Sequence, residues 1–180
     1  MKPRPMPRNI LISNEIDAGC AKAVINMIMD INYDDDIKEE EVRDWVREPI
    51  YVYINSNGGN AYDALAIYDV IQHSKTPVYT VALGWCMSAG LWIFMAGNTR
   101  LIGEHATLMF HDVSSWATGK TEQVKQELEE AQRLAKMYCN TITEISKVTQ
   151  EMLDDYIVRK AEWYIPAEEA IKLKIANKYY

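Results

Sequence analysis

Val78-Tyr79-Thr80-Val81-Ala82-Leu83-Gly84-Trp85-Cys86-Met87-Ser88-Ala89-Gly90-Leu91-Trp92-Ile93-Phe94-Met95-Ala96-Gly97 runs for 20 residues without a charge. That is the length of a membrane-spanning helix, so its reading separates a membrane protein from a packed α/β fold. Pro77 precedes it, its first four residues are β-branched or aromatic, and Gly84 interrupts it before a second apolar run. The segment therefore reads as a buried strand over Val78 to Leu83, a glycine turn, and a short buried helix starting at Ser88. No membrane partner is expected.

Outward from this stretch, strands and helices alternate. Asn9 to Asn14 reads as a first strand, and Asp17 as the N-cap of a helix through Ala21, Val24, Ile25 and Ile28. The acid-rich 34–48 segment reads as a solvated connection with a helical piece around Glu39 to Trp45. Ile50 to Asn55 is a strand ended by Ser56-Asn57-Gly58-Gly59, and Asn60 opens a helix carrying Leu65, Ala66, Val70 and Ile71. Thr99 to Ile102 and Thr107 to Phe110 are two further strands, and a last helix spans about Pro166 to Leu173. Such alternation demands crossover connections, hence a mainly parallel sheet with helices on its faces.

With 180 residues, 48% apolar and 25% charged, the chain is expected to form one domain (1–180) with a real core. A net charge of -7 argues against nucleic-acid binding. Cys20, Cys86 and Cys139 lie far apart, which reads as reduced thiols in a cytoplasmic protein. Met1 to Arg8 mixes prolines with basic residues and has no apolar signal-peptide core, so secretion is not expected. Asn57-Gly58-Gly59-Asn60 lacks the Lys-Ser/Thr of a phosphate loop, and His105 with His111 has no zinc spacing. No cofactor or metal is expected.

Ser88 stands between Gly84 and Gly90, 29 residues after Gly59 and 23 before His111. A hydroxyl, an imidazole and small-residue turns are the parts of an acyl-transfer site: the base activates the alcohol, and free backbone amides receive the oxyanion. Cys86 is a competing nucleophile, but it lies two residues ahead of the expected helix start. His73, closing a helix, reads as a residue favoured by the dipole there.

Val124, Leu128, Ala131, Ala135, Tyr138, Ile142 and Ile145 recur in steps of four and three. That is a heptad seam on one helix from Thr121 to Val148, about 42 Å long at 1.5 Å per residue. Either another chain covers the seam, making an oligomer, or it forms a hairpin with a helix near Glu151 to Lys160.

Three separated motifs, in order, resemble those of the Clp protease proteolytic subunit (ClpP) family. They are Tyr53-Ile54-Asn55-Ser56-Asn57-Gly58-Gly59, then Thr80 to Gly84 with Ser88-Ala89-Gly90, then Arg100-x-x-x-Glu104 closing on Leu108-Met109-Phe110-His111. The resemblance runs from about Asn9 to Asn177. It implies a crotonase-like α/β fold with a long protruding handle helix (about 113–148) and a serine endopeptidase acting on extended polypeptides. It also implies self-association into heptameric rings stacked as a tetradecamer, with a Clp-type ATPase as possible partner. Carried over, the nucleophile falls on Ser88, the base on His111, and the oxyanion-hole amides on Gly59 and Ala89. Aligning Tyr164-x-x-Ala167-x-Glu169-Ala170 puts Glu162 where the family has the triad aspartate, with Asp154 and Asp155 as competitors in a shifted register. The segment near Val113 to Gly119 is expected to pair with substrate as an added strand.

Departures are specific. Cys86-Met87 precede the serine where the family has small residues, and Asp112-Val113 follow the histidine where it has Gln-Pro. Only about eight residues precede the first strand, which puts docking to an ATPase in question. Two other classes stay open: a crotonase-fold acyl-CoA enzyme, which needs neither Ser88 nor His111, and a catalytically impaired ring subunit serving as scaffold.

Overall fold

A computed structural model describes residues 7–113 and 118–180. Residues 1–6 of the expected N-terminal arm, and 114–117 within the Val113 to Gly119 segment expected to pair with substrate, lie outside them. The elements are β1 (Asn9–Ile12), α1 (Ala18–Glu41), β2 (Ile50–Ser56), α2 (Ala61–Gln72), β3 (Val78–Met87), α3 (Ala89–Met95), β4 (Thr99–Ile102), β5 (Thr107–Phe110), α4 (Thr121–Ile145), α5 (Gln150–Arg159), β6 (Trp163–Pro166), α6 (Ala167–Lys172) and β7 (Lys178–Tyr179).

Strands β1, β2, β3, β4 and β7 lie side by side in that order, every pairing parallel. The uncharged 78–97 stretch is β3 followed by α3, and all seven α3 residues are buried. Full burial explains the unbroken apolar run, since a helix covered on every side has no polar face. No helix among the described residues is long and apolar enough to cross a membrane.

Gly84 does not end β3 as the sequence suggested. It adopts φ +58 inside the strand, where a Cβ would lie 2.6 Å from Asn55 Oδ1. The Trp85 amide donates to that same oxygen at 3.2 Å, so the Asn55 side chain bridges the irregularity. Register passes from Ile54↔Ala82 to Ser56↔Cys86 across it. The glycine is thus a bulge that lengthens and redirects the strand. Before it, β3 pairs with β4; after it, with β5. β6 then joins β5 antiparallel.

The acidic segment is a second correction. α1 begins as expected, with the Asp17 carboxylate accepting from the Cys20 amide at 2.8 Å, but it continues to Glu41. Asp35 is fully buried and bonded by Arg8 and Thr76, while Asp36 is shared by Arg47 and Lys75. Cations remote in sequence neutralise the run and let the helix extend.

α4 ends at Ile145, three residues short of expectation, where the Ser146 hydroxyl donates to the Ile142 carbonyl at 2.6 Å and accepts from the Val148 amide at 3.0 Å. Leu134, Tyr138, Cys139 and Ile142 are buried, but Leu128 is 53% exposed. Of the seam, Tyr138 and Ile142 are covered, whereas Leu128 and Ile145 are exposed.

Candidate active site

Ser88 occupies the sharp turn between β3 and α3. Its φ of 52° and ψ of -122° are costly for a residue with a side chain, about 1–3 kcal/mol. Neighbours pin the turn from two sides: its amide donates to the Met109 carbonyl at 2.9 Å, and its carbonyl accepts from the Tyr138 hydroxyl at 3.0 Å. Strain at a strand-to-helix turn lifts a serine out of the sheet. Because β5 pairs with the second half of β3, His111 arrives at the same level, and its Nε2 lies 2.7 Å from Ser88 Oγ.

The glycine turn closes against this pair. The Ser56 hydroxyl accepts from the Gly58 amide at 3.1 Å and donates to the Asn14 carbonyl at 2.6 Å, fixing the turn after β2. Gly58 has φ +107, and a Cβ there would lie 2.8 Å from Ser88 Cβ. Gly59 has φ +151, and its Cβ would fall 2.3 Å from the Ile16 carbonyl oxygen. Ile16 bridges the turn, its amide donating to the Gly58 carbonyl and its carbonyl accepting from the Asn60 amide. That bridge leaves the Gly59 amide without an acceptor among the described residues. The Ala89 amide, at the first position of α3, is likewise one of the donors a helix start leaves unpaired.

Gly59, Ser88, Ala89 and His111 line one cavity of about 350 Å³. Its buried wall is Trp92, Leu134 and Tyr138, and its rim carries Tyr62, Glu127 and Glu130. Arg133 grips Glu130 through two nitrogens at 2.7 Å and Tyr62 donates to it at 2.7 Å, holding its carboxyl at about 2. Glu130 therefore stays ionised throughout the neutral range.

Glu162 is exposed. Phe110 pairs with Trp163, so extending the register by one residue sets Glu162 directly opposite His111. Its carboxylate nevertheless accepts from the Tyr164 hydroxyl, two residues further along the chain, and among the described residues no hydrogen bond joins it to the imidazole. The longer glutamate side chain reaches along its own strand face. Asp154 accepts from Gln150 at 2.8 Å and Asp155 pairs with Arg159, both within α5. Cys86 is fully buried, and desolvation pushes its thiol pKa well up, so it is no nucleophile. His73 caps α2, its Nδ1 2.8 Å from the Asp69 carbonyl. Among the described residues no group of three or more His, Cys, Asp or Glu side chains is disposed to hold a metal ion.

The sequence pattern places Tyr138 on the seam and Asn55 in the first motif but shows the role of neither side chain, and it does not single out Ile16. Of these only Tyr138 carried a signal, a phenol on an otherwise apolar stripe, which usually finds a hydrogen-bond partner when buried.

A family model described as Clp protease matches residues 6–178. The chain belongs to the Clp protease family. Among its relatives, the ATP-dependent Clp protease proteolytic subunit 3 of Synechococcus sp. (strain CC9902) is 28% identical over 174 residues, covering 95% of this chain and 81% of the relative. The ATP-dependent Clp protease proteolytic subunit of Oenothera elata subsp. hookeri is 33% identical over 135 residues, 73% of this chain and 51% of that one. A solved mutant of ClpP1 from Listeria monocytogenes superposes with a TM-score of 0.79 at 23% identity, over 97% of this chain and 91% of that one. The Clp family fold, a mainly parallel sheet with flanking helices and a long helix after β5, is therefore this chain's fold.

Proposed function

We propose that this chain is a serine endopeptidase subunit that hydrolyses extended polypeptides inside a ring-shaped oligomer. Ser88 Oγ attacks the scissile carbonyl while His111 Nε2 takes its proton and then delivers it to the departing amine. Water attacks the resulting acyl-serine by the same route in reverse, with His111 again as base. The Gly59 and Ala89 amides hold the oxyanion, each worth on the order of 3 kcal/mol in the transition state. Glu162 orients the imidazole and stabilises its charge. The observation that carries this reading is the 2.7 Å approach of His111 Nε2 to a serine held in a strained turn. Burial of the cavity wall suits an apolar side chain on the acyl side of the cut bond.

The half-covered seam of α4 supports assembly, since Leu128 is exposed and Val124 only half-buried, apolar surface that another chain would cover. By family likeness the assembly is two stacked heptamers in the cytoplasm, working with a Clp-type ATPase. The test is fluorophosphonate labelling and peptide turnover by the assembled protein. Ser88→Ala abolishes both while leaving the assembly mass unchanged. Undiminished turnover in that variant would defeat the reading.

One observation favours a second reading. With one carboxylate oxygen on Tyr164, Glu162 makes no hydrogen bond to His111 among the described residues, which suits a ring subunit that serves as scaffold. Assembled rings whose Ser88 takes no fluorophosphonate would establish it. Turnover of a CoA thioester, equally without labelling, would point instead to an acyl-CoA enzyme.

A further inference from the structure

The hydrogen bond between Tyr164 and Glu162 has no part in the fold's core: both residues are exposed, Glu162 just ahead of β6 and Tyr164 its second residue. Its position relative to His111 gives it meaning. In an antiparallel pair, residues directly opposite place their Cβ atoms about 4.5–5.5 Å apart on one face, and residues two apart on a strand share that face. Glu162 and Tyr164 thus flank the β5 end that carries His111. Nε2 of that ring is engaged by Ser88, so Nδ1 is the nitrogen left for an acid.

An aspartate opposite the histidine has few rotamers and little reach. A glutamate has one more methylene and one more torsion, and unrestrained it samples positions away from the ring. A carboxylate has two oxygens. Tyr164 takes Oε2, which leaves Oε1 as an acceptor.

We propose that Tyr164 is a positioning residue: its phenol anchors one oxygen of Glu162 so that the other serves His111 Nδ1. This rests on the peptidase reading above. The phenol keeps its proton, because the hydrogen bond to Glu162 and its negative charge push the Tyr164 pKa up. The other titratable groups around the imidazole are differently engaged. Asp112 Oδ1 accepts from the Val113 amide at 2.8 Å, and the Tyr138 hydroxyl donates to the Ser88 carbonyl. Neither supplies the acid that Tyr164 and Glu162 together would.

The experiment compares Tyr164→Phe with wild type in the assembled protein. Removing an exposed hydroxyl leaves fold and assembly intact, but kcat/KM falls roughly 10- to 100-fold, the effect of misplacing a catalytic group by about an ångström. A carboxylate on Nδ1 favours the imidazolium, so its loss lowers the His111 pKa and moves the acid limb of kcat/KM to lower pH. A merely structural role moves neither. Adding Glu162→Asp to Tyr164→Phe restores part of the rate, because the shorter acid needs no anchor. Unchanged kcat/KM and acid limb in Tyr164→Phe overturn the proposal, and so does a faster variant, which would make the phenol a restraint. If no peptide is cut and Ser88 takes no fluorophosphonate, the peptidase reading has failed by itself. The inference is then decided by the His111 ring signal in pH-titrated NMR, one of three histidines to resolve: a lower pKa in Tyr164→Phe supports it, and identical titration refutes it.

Discussion

Gly58 has no room for even a methyl group, since a Cβ there would lie 2.8 Å from that of Ser88 and 3.0 Å from the Met87 carbonyl. Gly58→Ala should therefore push the nucleophile's turn off its position, lowering kcat/KM at least about 100-fold. Steady-state kinetics alongside a thermal melt separate this from simple unfolding; a variant within threefold of wild type would show that the close approach is dispensable. Cys86 illustrates the opposite case, a reactive atom made inert by its surroundings. Two residues from Ser88 and buried on β3, it should resist iodoacetamide in the native protein at pH 8 and react only after denaturation. Sequence spacing had already singled out the serine and the histidine, because small residues and apolar strands around them are local signals. The direction of the Glu162 carboxylate was not legible, since it depends on a side-chain torsion and on Tyr164.

α1 and β3 show where local patterns stop informing. Both N-caps, Asp17 and Asn60, were readable because a cap bonds its own next turn. The far end of α1 was not, because the charges that complete Asp35 and Asp36 come from Arg8, Arg47 and Lys75, up to 39 residues away. Gly84 likewise looked like a terminator until Asn55, on the neighbouring strand, supplied the missing acceptor. β6 and β7 escaped notice, being four and two residues long with a proline at the end of one. The α1 network has a measurable consequence. Burial opposes the charge on Asp35, but hydrogen bonds from Arg8 and Thr76 outweigh it and lower the carboxyl's pKa. Its stabilising contribution is thus complete above the unfolded value of about 3.9 and is lost as pH falls through the lower folded one. Asp35→Asn leaves Arg8 without its partner and should cost about 3 kcal/mol at pH 7. Urea midpoints should differ widely between wild type and variant at pH 7 and draw together as pH falls below about 4; a constant gap would remove the ion pair as the cause.

The long helix α4 joins the site to whatever the subunit assembles with. Its C-terminal half carries Tyr138 into the nucleophile's turn, while Leu128 faces outward at 53% exposure. Leu128→Glu places a charge on the uncovered seam and should shift the native mass toward smaller species without lowering the subunit's helix content; an unaltered mass would locate the contacts elsewhere. β3 connects the rest. It lies in one ladder with β2 and β4, then, past Gly84, in another with β5. One continuous strand therefore carries the alignment of the outer ladder into the turn that presents Ser88. A slip of one residue between β3 and β4 would turn every later side chain to the wrong face. During refolding, then, hydrolytic competence has to lag behind or coincide with closure of the β2–β3–β4 frame and can never come ahead of it.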